Sequence, residues 1–347
     1  MLDAVLRMPA QCEQGYRAGR QAGELPSGDS ASSVVVCGMG GSGVAGDVLG
    51  ALYRDRLGIP IVTVKDFSLP EFCGKDTVVV CSSYSGSTAE TLACFEEATA
   101  RGCRVLATAS GGELADRAGA ADIAVVPIPA GLQPRAAIGH LVFAVLGALE
   151  EMGVLPPLGE EVSQCAATLE QVAADVAPDR GSADNPAKSL AVAIGDRVPV
   201  VWGAEGIGAV AARRWKTQFN ENAKVPAMAS ALPELDHNEV VGWSPGAGAR
   251  FFLVTLRQGA ERPDLSARFD VSVDVVAGSG IEHREVRAPG GSGLAELMWL
   301  IMVGDATSVY LGLARGADPA PIEAIHRVKR AIEERRGRAD VWPGRRA

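Results

Sequence analysis

Short apolar runs alternate with stretches of helical period along most of the chain. Val34–Cys37 reads as a buried strand, followed by a glycine loop and a helix from about Gly43 to Leu57. Pro60–Val64 and Thr77–Cys81 read as the next strands, and a hydroxyl-rich loop and a helix Thr88–Arg101 come after them. Arg104–Ala107 and Ile123–Val126 complete five strands, and a helix from about Arg135 to Met152 closes the set. Near-continuous Val/Ile runs separated by helices predict a parallel sheet covered on both faces. The expected class is α/β, doubly wound and flavodoxin-like.

A second set follows a helical connector, Pro156–Ala177, and a loop, Pro178–Pro186. Val198–Trp202, Phe251–Leu256, Val271–Val275 and His283–Val286 read as strands, and Gly206–Glu221 as a helix. Leu294–Ala314 is the most apolar stretch, but Gly304-Asp305 interrupts it, which predicts a buried helix rather than a membrane span. Residues 1–23 mix Arg7, Arg17 and Arg20 with Gln11 and Glu13 and have no apolar core, so they read as an amphipathic helix and not a signal peptide. The last 21 residues carry eight Arg or Lys and read as a helix running into a solvated basic tail. The expected organisation is an N-terminal helix and linker (1–32), a first subdomain (33–155), a connector (156–190), a second subdomain (191–320), and a C-terminal helix with its tail (321–347).

The two halves echo each other. The decapeptide Val36–Ala45 aligns without gaps on Val201–Val210, placing Gly38, Gly41 and Gly43 on Gly203, Gly206 and Gly208. One strand–glycine loop–helix unit used twice implies a duplicated fold. Ser42 becomes Ile207 in the second copy, so that loop has lost its hydroxyl. One working anion site and one structural copy are expected.

Composition sharpens this. Glycine supplies 41 of 347 residues, well above an average usage of about 7%, which suits tight turns and close backbone approach. A net charge of −9 argues against a general nucleic-acid binder, which needs a basic face. The seven cysteines form no C-x-x-C pair and read as small buried residues in a reducing compartment, so the expected location is cytoplasmic.

Gly38-Met39-Gly40-Gly41-Ser42-Gly43 matches G-x-G-x-x-G between a strand and a helix, which raises dinucleotide binding. That reading needs an acid ending the second strand, and Asp66 follows the strand rather than ending it. The second loop points elsewhere. Ser82, Ser83, Ser85, Ser87 and Thr88 crowd one strand-to-helix turn. There unpaired N–H groups, the helix dipole and hydroxyls together can cradle a phosphate without a lysine.

With these two loops the sequence resembles the sugar isomerase (SIS) fold, and more narrowly the bifunctional phosphoglucose/phosphomannose isomerases of archaea and some bacteria. The motifs stand at Gly38–Asp47 and Ser83–Thr91. The likeness continues through Pro134–Ala137, Asn220–Lys224, Leu235–Glu239, Asp318–Ile322 and Val328-Lys329. The resemblance implies two SIS-type subdomains, each a parallel sheet flanked by helices. It implies isomerisation of glucose 6-phosphate, and of mannose 6-phosphate, to fructose 6-phosphate through a metal-free cis-enediolate.

Residue roles follow from the same likeness. Gly41, Ser42, Ser83, Ser85 and Thr88 match the phosphate-binding positions. Glu221 matches the base that moves a proton between C2 and C1, and the same chemistry needs a positioned carboxylate. His237 and Lys329 match the ring-opening residues, and an imidazole suits proton exchange near neutral pH. Arg135 matches the cation that stabilises the enediolate, whose negative charge calls for one. The family has a threonine in this segment that makes room for the mannose epimer, and this chain departs from it with Ala320, which weakens the implied mannose 6-phosphate activity relative to that on glucose 6-phosphate. No cofactor and no metal is implied, and no zinc-type ligand spacing occurs. The expected partners are a small sugar phosphate and a second copy of the chain in a homodimer whose subunits share the active site. Neither nucleic acid nor membrane is expected. A non-catalytic phosphosugar-sensing module and an SIS isomerase for another sugar phosphate are the alternatives.

Overall fold

The computed structural model describes residues 1–338. The chain opens with α1 (Leu2–Leu6) and α2 (Met8–Arg20). The first sheet unit comprises β1 (Ser33–Cys37), α3 (Gly40–Tyr53), β2 (Ile61–Val64), β3 (Thr77–Ser82) and α4 (Ala89–Ala100). It continues with β4 (Arg104–Ala109), α5 (Gly112–Ala120) and β5 (Val125–Pro127). Helices α6 (Ile138–Glu151), α7 (Gly159–Asp175) and α8 (Pro186–Ile194) lead to the second unit. That unit holds β6 (Val198–Ala204), α9 (Ile207–Gln218), β7 (Met228–Leu232), β8 (Phe251–Arg257), α10 (Pro263–Ala277) and β9 (Glu282–Arg287). The long helix α11 (Gly293–Ala314) and then α12 (Glu323–Arg338) follow.

All strands pair in parallel, in the orders β2-β1-β3-β4-β5 and β7-β6-β8-β9. The first is the flavodoxin-like order, and the second repeats it without a fifth strand. β1 and β3 are buried along their whole length, which is why they read as unbroken Val/Cys runs rather than alternating ones. The echo between the loops is geometric as well. A Cβ on Gly43 would sit 2.4 Å from the Gly38 carbonyl oxygen, and one on Gly203 would sit 2.1 Å from that of Gly208. In both units a strand end and a helix start therefore meet backbone to backbone.

Helix α11 is long and apolar enough to cross a membrane, yet 83% of its most apolar stretch is buried within the protein. It packs against α7, α8 and α9, and so forms the spine on which the second unit rests. At the other end, α2 lies on α6 through glycines. A Cβ at Gly147 would come within 2.3 Å of the Tyr16 carbonyl oxygen. Gln11 Nε2 donates to the carbonyl of Ala136 at 3.0 Å, tying α2 to the turn that precedes α6.

Three expectations change. Val271–Val275 is not a strand but lies inside α10. Its alternating valines imitate a strand, but Phe269, Ser272 and Val276 are the buried positions, at helical spacing, while Val271 and Val275 are 61% and 59% exposed. The fourth strand of that sheet is β7, Met228–Leu232, which its short, mixed composition concealed. The helix expected from Gly43 to Leu57 runs from Gly40 to Tyr53, because the glycine loop itself forms the first turn.

Candidate active site

β1 and β3 are neighbours, with Cys37 opposite Cys81, so the loops that leave them lie side by side. This is the switch point of a flavodoxin-like sheet, where ligands bind beyond the carboxyl ends of the strands. Ser42, 5% exposed, accepts a hydrogen bond at its Oγ from the Tyr84 N–H at 3.0 Å, which locks the glycine loop to the hydroxyl loop. A hydroxyl that accepts one bond still has its O–H to donate. Ser83 Oγ donates to Thr88 Oγ1 at 2.9 Å, and the Ser87 N–H reaches Ser85 Oγ at 3.3 Å. Ser82 is turned away and accepts from Thr108 Oγ1 in the sheet, at 2.9 Å.

Neither α3 nor α4 has a side-chain cap on its first turn. Two uncapped helix N-termini beside these hydroxyls form a ready anion site. Glycine is obligatory at position 86, where φ is +67° and a Cβ would fall 1.8 Å from the Gly111 carbonyl oxygen. At Gly41 a Cβ would lie 2.9 Å from the carbonyl oxygen of Pro134, so the glycine loop rests directly on the turn carrying Arg135.

Arg135 sits in a 3₁₀ turn, Pro134–Ala136, just before α6 rather than on that helix, and its side chain is 2% exposed. Its Nε donates to Asn222 Oδ1 at 2.9 Å, and its Nη2 to the carbonyls of Pro319 (2.7 Å) and Ala320 (3.0 Å). Nη1 stands 3.4 Å from Glu221 Oε2. Burial pulls the guanidinium pKa down and the Glu221 carboxylate pushes it back up. Glu221 lies in a π turn, Phe219–Ala223, that ends α9, and its side chain is 28% exposed. Such single π turns recur at functional sites. Here the turn places Glu221 and Asn222 together on Arg135.

Glu221 and Gly41 line one cleft of about 440 Å³ between α3 and α9. His237 and Lys329 do not line it, and neither do Arg135, Ser42, Ser83, Ser85 or Thr88, whereas Lys65, Arg213, Arg214 and Lys216 do. His237 ends a 3₁₀ turn after β7 and is exposed. Asp236 is engaged by Ser272 Oγ (2.6 Å) and Arg268, and Glu239 by Trp202 Nε1 (2.8 Å). Neither neighbouring carboxylate therefore claims the imidazole. Lys329 is exposed on α12. The basic tail after residue 338 lies outside the described residues.

Other histidines have structural partners or are buried. His283 Nε2 bonds Thr255 Oγ1 at 2.9 Å, and burial lowers the pKa of both His140 and His283.

Sequence reasoning gave no role to Asn222 or Lys224. Lys224 adopts a left-handed conformation (φ 58°). Its Nζ donates to the carbonyls of Glu221 (2.5 Å) and Pro321 (2.6 Å). Together with Arg135 it clamps the strap before α12 against the site. The motif Asn220–Lys224 held that information, but not which atoms it would meet.

A family model described as bacterial phospho-glucose isomerase C-terminal SIS domain matches residues 183–332. The chain is 32% identical to a bifunctional phosphoglucose/phosphomannose isomerase from Caldicellulosiruptor bescii, across 96% of this chain and 99% of that protein. It is 34% identical to the protein of the same name from Aquifex aeolicus, across 87% and 90%. In three dimensions it resembles the C-terminal domain of glucosamine-fructose-6-phosphate aminotransferase from Francisella tularensis. That match has a TM-score of 0.66 at 15% identity and covers 92% and 96% of the two chains.

Proposed function

The chain belongs to the bifunctional phosphoglucose/phosphomannose isomerase family, and from that premise we propose that it interconverts glucose 6-phosphate and fructose 6-phosphate. Mannose 6-phosphate enters the same cycle through the same enediolate. The observation that carries this is the Arg135 Nη1 edge facing Glu221 across 3.4 Å, beside two uncapped helix ends and their hydroxyls. Ser42, Ser83, Ser85, Thr88 and the Gly41 backbone hold the phosphate. Glu221 takes the C2 proton of the opened sugar and returns it to C1, so one C–H bond breaks and another forms with no external redox partner. The C1 oxygen gains a proton and the C2 hydroxyl loses one as the carbonyl moves. Arg135 stabilises the negative charge of the cis-enediolate between these steps. A carboxylate and a fixed cation suffice for this route, so it is metal-free.

His237 and Lys329 open the sugar ring, and they reach it in a homodimer. One feature supports that assembly. Helix α12 exposes Ile325, Val328 and Ile332 at helical spacing, an apolar stripe that a second copy of the chain would cover. The working units are the subdomains at 33–155 and 191–320. The enzyme acts in the cytoplasm, consistent with seven free thiols.

The test is a coupled assay with glucose 6-phosphate and with mannose 6-phosphate, each with and without a chelator, plus deuterium uptake at C2 from D₂O. Turnover insensitive to chelator, with label at C2, is expected. Folded protein that turns over neither sugar refutes the assignment, and binding without turnover would favour a sensing module. Loss of activity on chelation refutes the metal-free route.

A further inference from the structure

We propose that Arg214 and Asp305, packed against the turn that carries Arg135, are positioning residues that hold Arg135 so that only its Nη1 edge is free to meet the reacting oxygens. This rests on the role given to Arg135 above. Arg214, on α9, and Asp305, on α11, have side chains only 2% exposed. Arg214 Nε donates to Asp305 Oδ1 at 3.0 Å and Nη2 to Oδ2 at 2.7 Å. The same Nη2 donates to the main-chain carbonyl of Arg135 at 2.5 Å. A charged, bidentately anchored donor thus fixes the backbone of the turn carrying the catalytic arginine.

A second line runs from the same stretch of α11 to the Arg135 side chain. Ser308 Oγ donates to the carbonyl of Asp305 at 2.7 Å and accepts from Asn222 Nδ2 at 2.9 Å. Asn222 Oδ1 in turn accepts from Arg135 Nε. A guanidinium has five N–H donors. Asn222 takes the one on Nε, and the strap carbonyls of Pro319 and Ala320 take both on Nη2. Among the described residues, the remaining two, on Nη1, face only Gln133 Oε1 at 3.5 Å and Glu221 Oε2 at 3.4 Å. Both distances exceed those of ordinary hydrogen bonds. The free edge is the one turned to the base.

Charge gives the pair a second use. Two buried guanidiniums near each other repel, and Asp305 offsets the charge that Arg214 would otherwise set against Arg135 and its partner Glu221. A buried ion pair confers little net stability over apolar residues of similar volume, so fold stability is a weak reason for this one. Burial pushes the Asp305 carboxyl up, and the bidentate guanidinium, charged at any physiological pH, pulls it down.

The experiment compares Arg214→Lys and Asp305→Asn with the unaltered protein in the isomerase assay. Alongside, it measures affinity for a sugar-acid phosphate whose carboxylate mimics the enediolate. Lysine keeps the charge but cannot serve both the carboxylate and the Arg135 carbonyl. We expect kcat to fall by about 10–100-fold in Arg214→Lys, the scale of a misplacement near 1 Å. KM should stay within about threefold, and affinity for the carboxylate mimic should fall in parallel with kcat/KM. Asp305→Asn should lose at least as much. If it does not fold, Arg214→Lys decides alone. A folded Arg214→Lys with kcat within about twofold, or with equal losses for substrate and mimic, overturns the inference. No turnover by the unaltered protein overturns the function and this inference together, whereas turnover with unaffected variants overturns this inference alone.

Discussion

Glu221→Gln separates catalysis from stability in one substitution. The carboxylate stands 3.4 Å from a guanidinium buried to 2% exposure. At an effective dielectric constant of about 20, that pair is worth roughly 5 kcal/mol of gross attraction. Most of it only offsets the cost of burying Arg135, whose pKa burial drives down. Glu221 is 28% exposed, so solvent screens the pair further and about 1 kcal/mol of net stability is left at stake. Glutamine keeps the shape and one carbonyl oxygen for Nη1. In a chain of this size, 1 kcal/mol moves Tm by at most about 3 °C. Removing a general base costs about 10²–10⁴ in rate, or about 3–5 kcal/mol of activation free energy. Activity should therefore collapse while Tm and affinity for the sugar phosphate barely move. The assay follows fructose 6-phosphate conversion through oxidation of the product, with calorimetric melting in parallel. Retention of more than about a tenth of kcat by folded Glu221→Gln would refute the assignment of the base.

Three further outcomes are expected. Gly86→Ala forces a Cβ to within 1.8 Å of the Gly111 carbonyl oxygen at φ +67°, so the hydroxyl loop must shift. KM should then rise by about 10–100-fold, the worth of one lost charged hydrogen bond, which steady-state kinetics will read. His140 and His283 both have pKa values lowered by burial. The unfolded chain therefore binds more protons than the folded one below about pH 6.5. Their contribution is intact above that pH and is lost as pH falls through it, and His283→Asn should flatten part of the decline in urea melts between pH 7.5 and 5.5. Finally, coexpression of Glu221→Gln with His237→Gln, each inactive alone, should regain up to about a quarter of normal activity if a dimer joins the two residues. Complete silence of the mixture, with dimers present, would place both residues on one chain.

Much of this architecture was legible because buried parallel strands write themselves as continuous runs. β1, β3, β6 and β8 are such runs. β7 was not legible, since Met-Ala-Ser-Ala-Leu carries neither β-branching nor alternation. α10 was misread because its exposed Val271 and Val275 supplied an alternation that had nothing to do with burial. The start of α8 did have a signal. Asn185 before Pro186 is an N-cap pair, and its side chain accepts from the Lys188 N–H at 2.9 Å.

At the site, loop chemistry was readable because hydroxyls and glycines cluster in sequence. The frame behind Arg135 was not, because Arg214, Asn222, Asp305 and Ser308 are brought together from two distant segments. One trace was present. Asp305 interrupts the most apolar helix of the chain, and a carboxylate there demands a buried partner.

The duplication explains how one unit came to serve two ends of a reaction. α3 and α9 occupy equivalent places, each entered through a pair of touching glycines. On the proposed assignment the first copy uses the N-terminus of its helix, where Ser42 adds a hydroxyl to uncapped N–H groups that α9 shares. In the second copy Ile207 takes the place of Ser42 and is 6% exposed, so that N-terminus serves packing instead. Its helix is useful at the opposite end, where the π turn presents Glu221. The cleft is lined both by Gly40 and Gly41 at the start of α3 and by Glu221 just beyond α9. The carboxyl end of one repeat thus lies against the amino end of the other. Opposed helix ends suit a phosphosugar, whose charge sits at one end and whose reacting carbons sit at the other. A hydroxyl at position 207 would gain little, since the loop after β8, Gln258–Arg262, has none of the hydroxyls that follow β3. Restoring it as Ile207→Ser should leave KM unchanged and lower stability by about 1–3 kcal/mol through the lost apolar burial. A fall in KM would instead mean that the second loop still holds an anion.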